Sequence, residues 1–241
     1  MAKAAQAALT VQVAVFGFDP DPATPSGRAL NILTAGGKLP AAAVDQRETT
    51  ADAAARAITD TGLDLGRRRG SALTLVGLGD QPGRGARTLS AWYSAMAPFA
   101  PVRGGSRGRW TAAGRSLRLD AEGTVVFKAA LDRLRADTRH VSGAAALLGD
   151  VFTGDDLLRL HVALHGGPQS SERTFRRRVQ ELRDSGVLKP VKDSEVAGLR
   201  QRVARFRSPA GTGGRPPELL RYTGQGGDDE QLAGLRARRS A

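Results

Sequence analysis

The chain of 241 residues is long enough for one large domain or two modest ones, each with its own core. It carries 36 Lys and Arg against 24 Asp and Glu, a formal net charge of +12, and every cation except Lys3, Lys38, Lys128, Lys189 and Lys192 is arginine; the balance suits phosphate-bearing partners, though GC-rich coding alone produces a similar bias. The absence of cysteine excludes disulfides and thiolate zinc sites, no apolar run is long enough to span a membrane, and the start MAKAAQAAL lacks the apolar core of a signal peptide, so a soluble cytoplasmic protein is expected.

From the N terminus, Leu9 to Phe18 (LTVQVAVFGF) reads as a strand, Asp19 to Gly27 as a Pro/Asp-rich turn and Arg28 to Thr34 as a returning strand, together a hairpin. Thr49 or Thr50 caps a helix over Ala51 to Thr61, which Gly62 terminates. Ser71 to Gly79 and Thr88 to Ala97 are two further strands, joined by the Gly/Arg-rich loop Asp80 to Arg87. Arg103 to Arg109 (RGGSRGR) reads as a flexible basic linker, and Asp120 to Arg139 as a helix carrying Val125, Phe127, Leu131 and Leu134.

A second set of elements begins at Phe152. Thr153 caps a short helix in which Leu157, Leu160 and Leu164 recur every three or four residues, and Gly166-Gly167-Pro168 ends it. Ser170 or Ser171 then caps a helix with Phe175, Val179 and Leu182 on one stripe and arginines on its other faces, closed by Gly186. Val187-Leu188, Gln201 to Arg207 and Glu218 to Thr223 read as strands, the last two separated by a Gly/Pro loop. Helix, turn, arginine helix and strands around a loop is the order of a winged helix-turn-helix, and Ser170 to Arg221 holds thirteen Lys and Arg against six Asp and Glu. Arg173, Thr174, Arg177 and Gln180 are the candidates for base edges; Arg176, Arg178, Arg205, Arg207 and Arg215 are the candidates for phosphates.

Two patterns invite other chemistry. His161 and His165 have the spacing of a two-histidine zinc helix, but the intervening glutamate and a third ligand are missing, so no metal site is expected there. Gly211 to Arg215 is glycine-rich without the Lys-Ser/Thr ending of a phosphate loop, and reads as a wing tip.

The segment Leu39 to Leu63, LPAAAVDQRETTADAAARAITDTGL, resembles a Nudix box in Glu48, Arg56, Ile58, Gly62 and Leu63, allowing one deletion. It departs from that pattern where Ala42 replaces a glycine, Ala57 replaces the first helical glutamate, and Asp60-Thr61 replaces a Glu-Glu pair. Nudix hydrolases cleave linked diphosphates with divalent cations held by several carboxylates on one helix, so these losses remove metal ligands. Asp52, Arg56 and Asp60, at four-residue steps, read as two opposed-charge pairs around an arginine.

Combined with FTGDDLLRLHVALHGG, RTFRRRVQELRDSGVL and GRPPELLRYT, this box makes nearly the whole chain similar to the Nudix-related transcriptional regulators of the NrtR type. The resemblance implies an α+β protein: a Nudix-like α/β/α sandwich over residues 1–141 that senses a ligand, and a DNA-binding winged helix-turn-helix over 142–241. It further implies a homodimer on a palindromic operator, repressing or activating, with ADP-ribose or a related NAD metabolite as effector and no required cofactor or catalytic residues. Asp80 to Thr88 also resembles the family's Asp-x-Pro-Arg-Gly-Arg turn, which makes Arg84 and Arg87, with Glu48 and Arg56, the candidate ligand-binding residues. The competing expectation is a Nudix-type hydrolase of nucleoside diphosphate derivatives with an accessory basic domain.

Overall fold

The computed structural model describes residues 8–19, 21, 24, 29–64, 73–82, 87–103, 106–166, 172–192, 195, 218–224 and 232. The chain divides into two compact units, Met1–Asp19 with Leu30–Arg135, and Pro20–Ala29 with Ala136–Ala241. By their contacts the two units part in the last turn of a helix, after Arg135. Part of the turn after the first strand goes with the second unit, where the Arg159 guanidinium donates to the carbonyls of Asp21 (2.7 Å) and Thr24 (2.9 Å).

The first unit is built on a six-stranded mixed sheet. Strand β1 (Ala8–Phe18) turns into β2 (Leu30–Ala35) as the expected antiparallel hairpin, with Phe16 opposite Ile32. The N-terminal part of β1 pairs with the three-residue β3 (Ala41–Ala43). On its other side β1 runs parallel to β5 (Arg87–Met96), which is paired antiparallel with β4 (Leu73–Pro82). The order is β4-β5-β1-β2-β6, and β6 (Gly108–Ala112) corrects the linker reading: Gly108 and Arg109 lie in a strand against β2. The glycines and arginines hid it, whereas Trp110, which packs on the core, is its anchor.

Helix α1 (Thr50–Thr59) covers one face of this sheet. Its Ala53, Ala54, Ala57 and Ile58 are buried against Val11, Val13, Val15, Tyr93 and Ala95, residues that alternate along β1 and β5 and so share a face. Thr49 caps the helix in a reciprocal box: its hydroxyl accepts from the Asp52 amide, and the Asp52 carboxylate accepts from the Thr49 amide. Helix α2 (Ala121–Asp137) serves the opposite face, where Phe127 meets Phe16 at 6.0 Å between ring centres. Helix, sheet and helix form the expected α/β/α sandwich.

In the second unit α3 (Val141–Leu148) is a helix absent from the sequence reading; seven of its eight residues are apolar, only Ser142 being polar, and they offer no amphipathic period. Its start abuts the preceding turn so closely that a Cβ on Gly143 would lie 2.3 Å from the Asp137 carbonyl oxygen, which only glycine tolerates. Strand β7 (Phe152–Thr153) leads into α4 (Gly154–His165), followed by α5 (Glu172–Asp184), β8 (Leu188–Pro190) and β9 (Leu219–Tyr222). The three strands form a sheet in the order β7-β9-β8. Two helices with a small antiparallel sheet, one strand before them and two after, make the winged helix-turn-helix; the strand expected over Gln201 to Arg207 and the Gly211 to Arg215 wing tip lie outside the described residues.

Candidate functional site

In the second unit, Thr153 and Asp156 form a buried capping box at the start of α4, the Thr153 amide donating to the Asp156 carboxylate at 2.9 Å. Leu157, Leu160 and Leu164 are buried, as their spacing requires. His161, 5 % exposed, stacks between His165 (4.8 Å between ring centres) and Phe175 of α5 (5.5 Å), so the histidine pair belongs to the packing between the two helices. Burial lowers the His161 pKa below its ordinary value. Among the described residues no group of three or more His, Asp or Glu is placed to hold a metal ion.

Helix α5 buries Phe175, Val179 and Leu182 and ends where Gly186 takes φ +79°, the left-handed conformation that favours glycine. At 100° per residue, the line opposite the buried stripe runs through Arg173, Arg177 and Gln180. All three are exposed, and Thr174 and Arg176 are exposed beside them. Arg178 is half-buried on the flank. The pairs these arginines make are surface pairs: Arg176 with Glu172 at 2.7 Å, Arg177 with Glu181 at 3.5 Å and Arg178 with Glu181 at 3.0 Å. Exposed pairs of this kind are worth a few tenths of a kcal/mol, so phosphates compete with them at little cost. Gln180 donates to Asp184 at 2.8 Å.

Strands β8 and β9 add two cations absent from the candidate set. Lys189 and Arg221 are directly opposite in the register and both exposed, Arg221 pairing with Glu195 at 2.9 Å. Each directly follows a buried leucine, Leu188 or Leu220, and that step from apolar to basic within a strand was the available signal. Arg205, Arg207 and Arg215 lie outside the described residues.

In the first unit, Glu48 and Arg56 come together, but chiefly with each other. The Arg56 guanidinium grips Glu48 with two hydrogen bonds of 3.0 and 2.7 Å, donates to the Ala43 carbonyl at 2.8 Å, and lies 3.7 Å from Asp45. The hydrogen bond from Arg56 holds the Glu48 carboxyl below the usual carboxylate range, and the same bond raises the Arg56 pKa. The expected four-residue pairs with Asp52 and Asp60 are therefore not what holds Arg56: the loop before α1 brings Glu48 to it, and Asp52 is engaged in the cap.

An open groove of about 400 Å³ lies along the outer side of α1, lined by Asp52, Arg56, Thr59 and Asp60 with Leu73 of β4. Asp52 and Asp60 are eight residues apart, roughly 12 Å along the helix, too far for two short side chains to share one cation. With Glu48 held by Arg56, this donor set does not fit the several-carboxylate metal site of a Nudix hydrolase.

Arg87 does not line the groove. It grips Asp80, Nε donating at 2.8 and 2.9 Å and the terminal nitrogen closing the pair, which lowers the Asp80 pKa and raises that of Arg87. Asp80 and groove-lining Leu73 are seven residues apart on β4, roughly 20 Å at strand spacing. Arg84 lies outside the described residues.

The sequence matches no protein-family model and no curated protein. The structure is similar to that of Shewanella oneidensis NrtR complexed with a 27mer DNA, at 18 % identity and a TM-score of 0.63, covering 89 % of this chain and 93 % of that one. It is also similar to Shewanella oneidensis NrtR alone (16 %, 0.61, 89 % and 94 %) and to a MutT/nudix family protein from Enterococcus faecalis (13 %, 0.58, 92 % and 88 %). The resemblance read from the sequence thus holds at the level of the fold, across both units. Among the described residues no helix is long and apolar enough to cross a membrane.

Proposed function

We propose that this chain is a ligand-responsive DNA-binding transcriptional regulator of the cytoplasm, in which α5 enters the major groove and the Nudix-like unit binds a nucleotide effector without efficient hydrolysis. The observation that carries this reading is the outward line of Arg173, Arg177 and Gln180 on a helix whose other face is anchored on α4 through Phe175. Arg and Gln are side chains that make paired hydrogen bonds to guanine and adenine edges, while Arg176, Arg178, Lys189 and Arg221 flank the line where phosphates would run. A homodimer would present two such helices about one turn of duplex apart, to a palindromic operator. That a protein of this fold has been solved with a 27mer DNA supports the same partner.

For the effector, Arg56 and Thr59 offer a guanidinium and a hydroxyl in one open groove, with Glu48 fixing the guanidinium. A nucleoside diphosphate derivative such as ADP-ribose suits that pairing. Arg87 belongs to the end of β5 away from the groove, so the effector site centres on Arg56 within one protomer. A band-shift with duplex from beside the chain's own gene, repeated with ADP-ribose and NAD, tests both halves: the expected result is a retarded band whose intensity changes with one nucleotide. A hydrolase with an accessory basic domain would instead release AMP from ADP-ribose at ordinary enzymatic rates when given a divalent cation. The spacing of Asp52 and Asp60 and the capture of Glu48 by Arg56 oppose that outcome.

A further inference from the structure

The arginines of the first unit are not all paired. Arg56, Arg87, Arg103 and Arg135 each meet a carboxylate, that of Glu48, Asp80, Asp64 and Asp132 respectively. Arg107, Arg109, Arg115 and Arg118 are exposed, and among the described residues none of them has a carboxylate partner. Between Arg107 and Arg118 the sequence holds no Asp or Glu. Asp120, the first to follow, pairs with Lys38 at 3.7 Å and accepts from the Gly123 amide at 2.8 Å at the start of α2.

The fold lays these four arginines along one edge. Trp110 of β6 turns to the α1 side, where it packs on the core, so Arg109 turns to the side of α2. The loop after β6 starts at the Leu30 end of β2, the Ala113 amide donating to the Leu30 carbonyl at 2.9 Å. By Asp120 it has returned to Lys38, beyond the Ala35 end. It therefore runs back along β6, an edge of the sheet among the described residues, and carries Arg115 and Arg118 beside Arg107 and Arg109. The Arg118 guanidinium donates to the Arg115 carbonyl at 2.9 Å, which holds those two together. With Lys38 at one end, the cations form an open strip roughly 15 Å long, about the length of the five-residue β6.

We propose that this strip binds the phosphate backbone of double-stranded DNA without reading its sequence, in addition to the contact made by α5; the proposal rests on the DNA-binding reading of the chain. Guanidiniums gathered at a surface without carboxylates repel one another, and a row of phosphates, whose oxygens match their forks, relieves that repulsion. Single strands are bound by aromatic rings on which bases stack, and anionic membranes by apolar side chains set among the headgroups. The strip offers neither: Trp110 packs inward, its Nε1 donating to the Ala100 carbonyl at 2.7 Å, and Leu117 and Leu119 are half-buried. A duplex backbone asks only for charge in a row.

The test is a titration of the full chain, at several salt concentrations, with duplex from beside its own gene and with a scrambled duplex of the same length. The wild type is compared with a triple variant, Arg109→Gln with Arg115→Gln and Arg118→Gln. The triple variant should weaken binding to both duplexes by the same factor and lower the slope of log affinity against log salt by about two to three, since each lost phosphate contact removes about 0.9. Arg109→Lys, Arg115→Lys and Arg118→Lys together should keep the slope, and both triples should melt with the wild type. A glutamine triple with the wild-type slope overturns the proposal, as does a loss confined to the native duplex. Wild-type binding to phosphatidylserine vesicles that the glutamines abolish, with duplex binding intact, overturns it in favour of a lipid surface. The two readings fail separately: a wild type that binds both duplexes alike sinks the sequence-reading regulator but not the strip, whereas a wild type that prefers the native duplex, beside a glutamine triple of unchanged slope, sinks the strip alone.

Discussion

Helices α1 and α5 are both short and amphipathic, and both carry charge on the side away from the core, yet they use that charge differently. In α1 it is turned inward on the protein: Asp52 caps the helix, and Arg56 is locked to Glu48 by two hydrogen bonds and to the Ala43 carbonyl by a third. In α5, Arg176, Arg177 and Arg178 lean on glutamates about one turn away, at 2.7 to 3.5 Å, in pairs open to solvent, while Arg183 at the end reaches Glu218 at 2.7 Å. The first arrangement fixes one guanidinium in place at the groove, and the second presents a row of cations at the surface. A count of charges already separates the two, two in α1 against eight in α5, and their partners widen the difference.

The comparison can be broken most severely at the anchor of α5. Phe175 is 2 % exposed and packs on His161, so Phe175→Ala should cost about 3–5 kcal/mol; in thermal unfolding the second unit should melt earlier. Next is the cap of α4: Thr153→Ala removes a buried reciprocal box and should cost about 0.5–2 kcal/mol, read from the same melt.

Much of this was legible from the residues. Thr49 or Thr50 and Thr153 marked the starts of two capped helices, and Phe175, Val179 and Leu182 marked the buried side of α5 by their spacing. The β1–β2 hairpin followed from its apolar run and Pro/Asp turn. What escaped lacks a local signature. Helix α3 is apolar but for Ser142, β3 has three residues, and β6 is disguised by Gly108 and Arg109. The tie between Glu48 and Arg56 spans eight residues across a loop and a helix start, so periodicity favoured Asp52 and Asp60 as partners instead. The separation of Arg87 from the α1 groove depends on β4 and β5 running as a long hairpin, which no short motif encodes.

Two smaller effects sharpen the contrast. Burial lowers the His161 pKa, so the folded unit binds fewer protons there than the unfolded chain does. The stability from its neutral, packed state is fully present above the ordinary value of about 6.5 and declines as pH falls below it. The melting temperature of the second unit should therefore drop between pH 7.5 and pH 5.5 (both roughly one unit from that value), and His161→Gln should flatten that dependence even if it lowers the melt overall. The smallest change is expected at the surface of α5: Glu172→Gln removes the nearer of Arg176's two carboxylate partners, Asp155 remaining at 3.6 Å, and should alter stability by less than about 0.5 kcal/mol, while leaving DNA affinity unchanged or raised.

The claim that α5 is the output of this molecule rests on its outward line, and a titration of operator duplex with Arg173→Ala, Arg177→Ala and Arg176→Ala variants tests it directly. The account predicts that Arg177→Ala loses about 1–3 kcal/mol of affinity and relaxes sequence preference, whereas Arg176→Ala weakens binding evenly across sequences and lowers its dependence on salt. Unchanged affinity for all three variants, in folded protein, would contradict it.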